Sequence, residues 1–225
     1  MLTLPMTEQI VPPAALSELA MDGYTIVRGV DPLHMNEAME RMGLQLGTTT
    51  NTLGLISTGA SKPLPVHVEG LYHADTTPYL LLGCIGASAV GGETQVYDAR
   101  TAARIMLDEW PQADGIQFEH RAALHPGVKS ITPLIDQRGD TAVLRFCDTP
   151  ENNRFTQTPE GFNETEFYEF ARNVLRRSLV HSQTWNEGDV LIINNGITLH
   201  GRSPFEGQRR MLRVRVDDPV RKKLW

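Results

Sequence analysis

Residues 66–75, VHVEGLYHAD, contain two copies of a pattern that can bind a metal ion. One copy joins His67 to Glu69, and the other joins His73 to Asp75. In each copy a histidine and a carboxylate are two residues apart, and such residues point to the same side of an extended strand. Two histidines and one carboxylate, with open positions opposite, are the ligand set of non-haem Fe(II) in oxygen chemistry. Either pair is a candidate on this ground alone.

The third ligand must come from another part of the chain. His200 is the candidate, because it follows the apolar segment GDVLIINN, which predicts a buried strand, and opens the turn LHGRSPF. The chain has seven histidines and 27 acidic residues, so a single His-x-acid pair often arises by chance. The metal hypothesis therefore needs support from outside residues 66–75.

The C-terminal segment RRMLRVRV gives that support, because it alternates as a strand with two different faces does. The odd face holds Arg209, Met211, Arg213 and Arg215, and the even face holds Arg210, Leu212, Val214 and Val216. An apolar inner face should not hold an arginine without an anionic partner. We therefore predict that Arg210 faces inward and binds a ligand carboxylate through its planar guanidinium. The alternative is that Arg210 lies at the strand end and faces water.

The pattern along the rest of the chain predicts an antiparallel β core with helices before and between the strands. Helices are predicted over AALSELAMDG, over DPLHMNEAMERMGLQLG with Asp31 as its cap, after the cap Asp98, and after the cap Asn163. Strands are predicted around 65–70 and over YTIVRGV, YLLLGCIGAS, ETQVYDA, GIQFEHRAAL, DTAVLRFCDT, GDVLIINN and RRMLRVRV. Helix and strand do not alternate regularly, so a mainly β (α+β) jelly roll or related double-sheet barrel is favoured over a doubly wound sheet.

Two polar, turn-rich stretches are predicted to be loops. Residues 49–65 contain several Gly and Pro residues, and residues 49–62 and 148–162 suit loops over the mouth of a pocket. Whether they act as lids is left open by the sequence.

Bulk properties limit the class of protein. The 225 residues are 40% hydrophobic and 21% charged, which is typical of one globular domain over 1–225. The net charge of −6 argues against a nucleic-acid partner. Cys84 and Cys147 are expected to be reduced core thiols. The N-terminal residues do not resemble a signal peptide, and no apolar run is long enough to span a membrane, so a cytoplasmic location is expected.

Three segments together resemble the Fe(II)/2-oxoglutarate-dependent oxygenases of the taurine dioxygenase and clavaminate synthase group. HVEGLYH is similar to the clavaminate synthase-type first motif, and GGETQVYDA is similar to the Gly-Gly-acid-Thr stretch that follows it. GDVLIINNGITLHGRSPF and RRMLRV resemble the C-terminal signature. The resemblance runs from about residue 65 to 216. It implies a double-stranded β-helix (jelly-roll) core with flanking helices, and it implies Fe(II), 2-oxoglutarate and O2 as cofactors.

The resemblance distinguishes between the two metal-binding patterns. When His67 and Glu69 are aligned with the first motif, the Gly-Gly block follows at the usual distance, whereas it comes too early for His73 and Asp75. The implied metal ligands are therefore His67, Glu69 and His200. His73 is then expected near the substrate or behind a ligand, and Asp75 in a turn.

The resemblance also assigns the co-substrate contacts. It implies that Arg210 and Thr94 hold the far carboxylate of 2-oxoglutarate. Arg145 is a candidate for substrate contact or for a salt bridge at a strand edge, and Arg202 belongs to the motif with a structural role as the alternative. Related halogenases have a small residue where this chain has Glu69, so halogenation is disfavoured.

The leading hypothesis is an oxygenase that hydroxylates, desaturates or cyclises a small polar molecule, such as an amino acid or a natural-product intermediate, and releases succinate and CO2. One alternative is a zinc-dependent hydrolase or lyase on a similar barrel. Another is a barrel that binds a small molecule without catalysis.

Overall fold

The chain forms a mixed α/β structure made mostly of strands. A computed structural model describes residues 10–47, 49–58, 62–71, 77–87, 90–122 and 125–217. The helices are α1 Pro13–Met21, α2 Met35–Leu46, α3 Ala99–Glu109 and α4 Glu164–Ser178. The strands are β1 Tyr24–Val27, β2 Thr49–Thr58, β3 Leu64–His67, β4 Tyr79–Gly86, β5 Val90–Gly91, β6 Thr94–Asp98, β7 Gln117–Ala122, β8 His125–Pro133, β9 Ile135–Arg138, β10 Thr141–Leu144, β11 Asn153–Gln157, β12 Leu179–Gln183, β13 Val190–Asn194, β14 Thr198–Arg202, β15 Phe205–Glu206 and β16 Gln208–Asp217.

Two antiparallel sheets face each other. One has five strands in the order β1-β13-β4-β16-β2, and the other has four in the order β12-β6-β14-β3. Buried residues from both sheets, with Trp185 from the loop between β12 and β13, form one cluster between them: Leu80, Leu82, Cys84, Val96, Trp185, Leu191, Ile193 and Met211. Alternate residues of each strand point into this space, so the strands can place functional side chains there as well.

Helices cover the outer faces of both sheets. Methionines of α2 pack on the outer side of the five-stranded sheet, in a cluster with Leu81, Val190, Ile192, Val214 and Val216. Residues of α3 and α4 pack on the outer side of the four-stranded sheet, with Tyr97 and Leu199. Each large sheet is thus buried on two sides. Among the described helices, none is long and apolar enough to cross a bilayer.

The predicted helix starts are confirmed in two cases out of three. The side chain of Asp98 accepts hydrogen bonds from the first backbone N–H groups of α3, and Asn163 does the same for α4. The helix expected to begin just after Asp31 instead begins at Met35. Asp31 forms a turn before it, accepting a bond of 2.9 Å from Leu33 N. Both cysteines are free and buried, as expected.

The loop predicted over residues 49–65 is wrong. Residues 49–58 form β2, an edge strand that pairs with β16 along its whole length, from Thr49↔Asp217 to Thr58↔Gln208. The threonines of TTNTLGLIST suggested a polar loop, but threonine is β-branched and favours strands, and an edge strand tolerates polar residues. A lid over the pocket mouth is therefore not formed by 49–58. The stretch 148–162 also contains a strand, β11.

Candidate active site

Three predicted metal ligands come together between the two sheets. His67 is the last residue of β3 and is paired across the sheet with His200 of β14. Glu69 lies in the turn that follows β3, so it is not part of the strand that the pattern suggested. Glu69 Oε2 is 3.6 Å from His67 Nε2 and 3.9 Å from His200 Nε2. One potential ligand atom from each of the three residues lies within 4.8 Å of the others.

Neighbouring groups fix the orientation of these side chains. His67 Nδ1 lies 2.9 Å from the carbonyl oxygen of Pro65. Donation to that carbonyl sets the tautomer and leaves Nε2 with a free lone pair, which is the arrangement that a metal-binding histidine needs. The amide of buried Asn195 accepts from Glu69 N at 2.9 Å and donates to the carbonyls of Glu69 at 3.0 Å and Thr77 at 2.7 Å. This single side chain therefore holds the backbone of the carboxylate ligand.

The buried groups have the protonation states that metal binding requires. Burial alone would raise the pKa of Glu69, but the neighbouring His67 and the charge of Arg213 outweigh it and lower the pKa to about 2. Burial lowers the pKa of His200 to about 3. At neutral pH the site thus offers a carboxylate and a neutral imidazole, both of which bind metals.

Two Nε2 atoms and one carboxylate oxygen fit a divalent ion of the non-haem iron type. The measured separations of 3.6 and 3.9 Å between Glu69 Oε2 and the two Nε2 atoms place all three donors around one point, where they would hold the ion. The competing pair, His73 and Asp75, lies outside the described residues.

The prediction that Arg210 faces the site is wrong. Arg210 is exposed, and its side chain lies against Gly86 on β4. The even face of β16 is apolar because it packs under α2, on the outer side of the sheet. The odd face, with Arg209, Arg213 and Arg215, points into the space between the sheets. The strand alternates as predicted, but its inner face is the one predicted to be outer.

Arg209 is the arginine that the sequence should have selected. It is only 6% exposed, and its Nη2 is 3.5 Å from the hydroxyl oxygen of Thr94. Trp185 Nε1 donates to the same hydroxyl at 3.2 Å, and the Arg209 guanidinium lies 5.9 Å from the Trp185 ring centre. Thr94 therefore lies next to a buried arginine, but that arginine is Arg209 and not Arg210.

Arg209 is a buried cation whose surroundings contain few charged groups among the described residues. Within the described part of the chain it forms no ion pair, and its Nε is buried without an acceptor. Burial, with the nearby charge of Arg202, lowers the pKa of Arg209 to about 10. A carboxylate ligand at this position would supply the missing partner, because a buried charge is stable only when it is paired.

Arg213 and Arg215 lie further along the same face. Arg213 Nη1 donates to Glu69 Oε1 at 3.0 Å, and Arg215 Nη1 lies 3.5 Å from the same oxygen. No pattern in the sequence connects these arginines with the carboxylate ligand. The available signal was their position on the face of β16 that carries Arg209.

The two other candidate arginines have structural contacts. Arg145 Nη1 is 3.6 Å from Asp136 Oδ2, which corresponds to the salt-bridge alternative. Arg202 Nη2 donates to the carbonyl oxygen of Lys62 at 2.6 Å, and its guanidinium lies 4.7 Å from the Phe205 ring centre. Arg202 therefore connects β14 to the chain before β3.

The family was established by comparison with known proteins. A model of the taurine catabolism dioxygenase TauD, TfdA family matches residues 13–215. The chain belongs to this family. The match confirms the resemblance carried by the three sequence segments. A solved structure of PvcB, described as an Fe, alpha-ketoglutarate dependent oxygenase from an isonitrile synthetic pathway, has a TM-score of 0.70 at 21% identity and covers 91% of this chain and 80% of its own. The described fold is thus that of the TauD-like oxygenases.

Two curated relatives have more specific names. Tyrosine isonitrile desaturase of Pseudomonas aeruginosa is 27% identical over 177 residues, which are 70% of this chain and 60% of the desaturase. Trimethyllysine dioxygenase of Neurospora crassa is 33% identical over 136 residues, which are 54% of this chain and 28% of that enzyme. The match therefore spans less than two thirds of either relative.

Proposed function

We propose that the protein is an Fe(II)- and 2-oxoglutarate-dependent oxygenase acting on a small polar substrate. The observation that carries the proposal is the combination of two sites in one space. His67, Glu69 and His200 converge on one point, and the buried cation Arg209 faces the same space between the sheets. A hydrolytic metal site would need the first group but would have no use for the second.

His67, Glu69 and His200 would hold the iron. Bound iron and 2-oxoglutarate supply the oxidation, in which the decarboxylation of 2-oxoglutarate to succinate and CO2 is coupled to the oxidation of a substrate C–H bond by O2. The protein supplies ligands in the correct protonation state, and it keeps Glu69 and His200 away from bulk water.

Arg209 and Thr94 would bind the far carboxylate of 2-oxoglutarate. The guanidinium of Arg209 suits a carboxylate, because its N–H groups can donate two parallel hydrogen bonds. Thr94 is oriented for the same contact by the Trp185 N–H, which occupies one lone pair of the hydroxyl and directs its proton elsewhere. The apolar neighbours Trp185 and Phe205 strengthen the pairing by excluding water.

The substrate is proposed to be built on an amino acid. The names of the two curated relatives, a tyrosine isonitrile desaturase and a trimethyllysine dioxygenase, both support this class. The product is expected to carry an added oxygen or a new double bond or ring. Glu69 occupies the position that chloride would need, so a halogenated product is not expected. Arg145, in addition to its contact with Asp136, and His73 remain the proposed substrate contacts.

The fold and domain proposals follow from the same family. We take the two facing antiparallel sheets to be the halves of a double-stranded β-helix (jelly roll), and the chain to act as one oxygenase domain. The order of strands within each sheet, and the family match over residues 13–215, support this interpretation.

The test is anaerobic incubation with Fe(II), 2-oxoglutarate and a library of amino acids and their derivatives, followed by admission of O2. Succinate and product masses are then measured. We expect succinate formation tied to the gain of one oxygen atom or the loss of two hydrogens. Turnover with Zn²⁺ in the absence of 2-oxoglutarate would contradict the proposal and favour a hydrolase or lyase. A chlorinated product would contradict the role given to Glu69.

A further inference from the structure

The two oxygens of the Glu69 carboxylate have different surroundings. Oε2 faces the two histidines, at 3.6 Å from His67 Nε2 and 3.9 Å from His200 Nε2. Oε1 lies 3.0 Å from Arg213 Nη1 and 3.5 Å from Arg215 Nη1. One oxygen is thus directed to the candidate metal position, and the other is occupied by two guanidinium groups.

The register of β16 produces this arrangement. Arg213 and Arg215 are two residues apart, so their side chains leave the strand on the same side. They are paired in the sheet with Leu82 and Leu80 of β4, respectively, near the middle of the five-stranded sheet. Their side chains are 24% and 17% exposed, and that of Glu69 is 7% exposed. Because the three groups are largely shielded from water, the charge-assisted contacts are stronger than on a surface.

We propose that Arg213 and Arg215 are positioning residues that restrict Glu69 to a single bond with the metal, through Oε2. This inference rests on the metal site of the proposed function. A carboxylate can bind a metal through one oxygen or both. Binding through both would occupy one of the positions that a site with two histidines and one carboxylate leaves open for other ligands. The arginines prevent it by holding Oε1.

The same two cations affect metal and co-substrate in opposite directions. They draw charge from Glu69 and repel a divalent cation, so they weaken binding of the metal alone. They also attract the dianion 2-oxoglutarate and keep a position open for it, so they strengthen its binding to the metal-loaded protein. Residues that hydrogen-bond to a metal ligand usually strengthen metal binding, and their loss lowers the affinity for the metal by roughly 10–100-fold. Loss of Arg213 and Arg215 is expected to raise the affinity for the metal instead.

The test uses Co²⁺ as the probe and needs no turnover. The double variant R213M/R215M is compared with the natural protein and with Arg210→Met, an exposed arginine on the same strand. Co²⁺ is titrated into the metal-free proteins and followed by its visible absorption, and 2-oxoglutarate is then titrated into the Co²⁺-loaded proteins. We expect the double variant to bind Co²⁺ several-fold more tightly and 2-oxoglutarate at least tenfold more weakly, with Arg210→Met unchanged in both titrations.

A second double variant separates the loss of positive charge from a folding defect. R213K/R215K keeps both charges, and it should keep the Co²⁺ affinity within about twofold of the natural protein while the double methionine variant does not. A loss of Co²⁺ affinity in both double variants, with the natural protein binding normally, overturns the inference and leaves the metal site intact. Failure of the natural protein to bind Co²⁺ overturns the proposed metal site and the role of the arginines with it.

Discussion

The two faces of β16 differ in composition, and both pack against other parts of the protein. On the outer face, Val214 and Val216 are 0% and 1% exposed and pack under α2. On the inner face, Arg209, Arg213 and Arg215 extend into the space that holds Glu69 and Thr94. The apolar face therefore stabilises the fold, and the charged face is directed at ligands. When a strand is covered on both sides, the face that carries the charges is the better indicator of a site.

The largest effect on activity is expected when a metal ligand is removed. His200→Ala should abolish turnover that depends on Fe(II) and 2-oxoglutarate, because a metal ligand is removed while the strand pairing of β14 remains. The same is expected of His67→Ala. Succinate formation measures the activity, and far-ultraviolet circular dichroism checks the fold. The control is His34→Ala, an exposed histidine before α2. Normal turnover in His200→Ala would remove this residue from the site.

The second prediction concerns the apparent KM for 2-oxoglutarate in variants of two neighbouring arginines on opposite faces of β16. Arg209→Leu should raise the apparent KM for 2-oxoglutarate by roughly 30-fold or more, since losing one partner of a buried charge pair costs about 2–5 kcal/mol. Arg210→Leu, which removes an exposed side chain, should change it less than twofold. Initial rates of succinate formation against 2-oxoglutarate concentration give both values. A larger rise in Arg210→Leu than in Arg209→Leu would show that Arg210 binds the carboxylate.

A substitution on the apolar face of β16 should lower stability and leave 2-oxoglutarate binding unchanged. Val214→Ala should lower the free energy of unfolding by roughly 1–3 kcal/mol, through lost packing and a small cavity under α2. The apparent KM for 2-oxoglutarate should stay near that of the natural protein. Urea unfolding gives the free energy, and the kinetic assay gives KM. If KM rose as strongly as in Arg209→Leu, the two faces would not be separate in function.

The smallest effect concerns the support of Thr94. Trp185→Phe removes the N–H that donates to the Thr94 hydroxyl at 3.2 Å and keeps most of the ring. One neutral hydrogen bond contributes about 0.5–1.5 kcal/mol, so the apparent KM for 2-oxoglutarate should rise roughly two- to tenfold. An unchanged KM would mean that Thr94 keeps its orientation without the indole.

The sequence predicted those features that depend on local chemistry. Asp98 and Asn163 were identifiable as caps because the side chain bonds to the first turn of its own helix. The features that failed depend on distant packing. Which face of β16 is inner is decided by α2, more than 150 residues earlier in the chain. The strand character of 49–58 is decided by pairing with β16.

Within the site, the histidines and Glu69 could be named from spacing and resemblance, but their supports could not. Asn195 is the clearest case. Its amide bonds to the backbone of Glu69, 126 positions away in the chain. The only local signal was a buried-looking pair of asparagines at the end of GDVLIINN. A polar residue there is unremarkable unless its backbone partners are known.

The contacts of Asn195 place the carboxylate ligand and a second point of the chain under the control of one side chain. Its amide donates to the carbonyls of both Glu69 and Thr77, so both positions are attached to one fixed point just after β13. Loss of the amide would release both at once, and Glu69 would no longer be held in place to meet His67 and His200. We expect Asn195→Ala to bind Co²⁺ more weakly than the natural protein in the same titration.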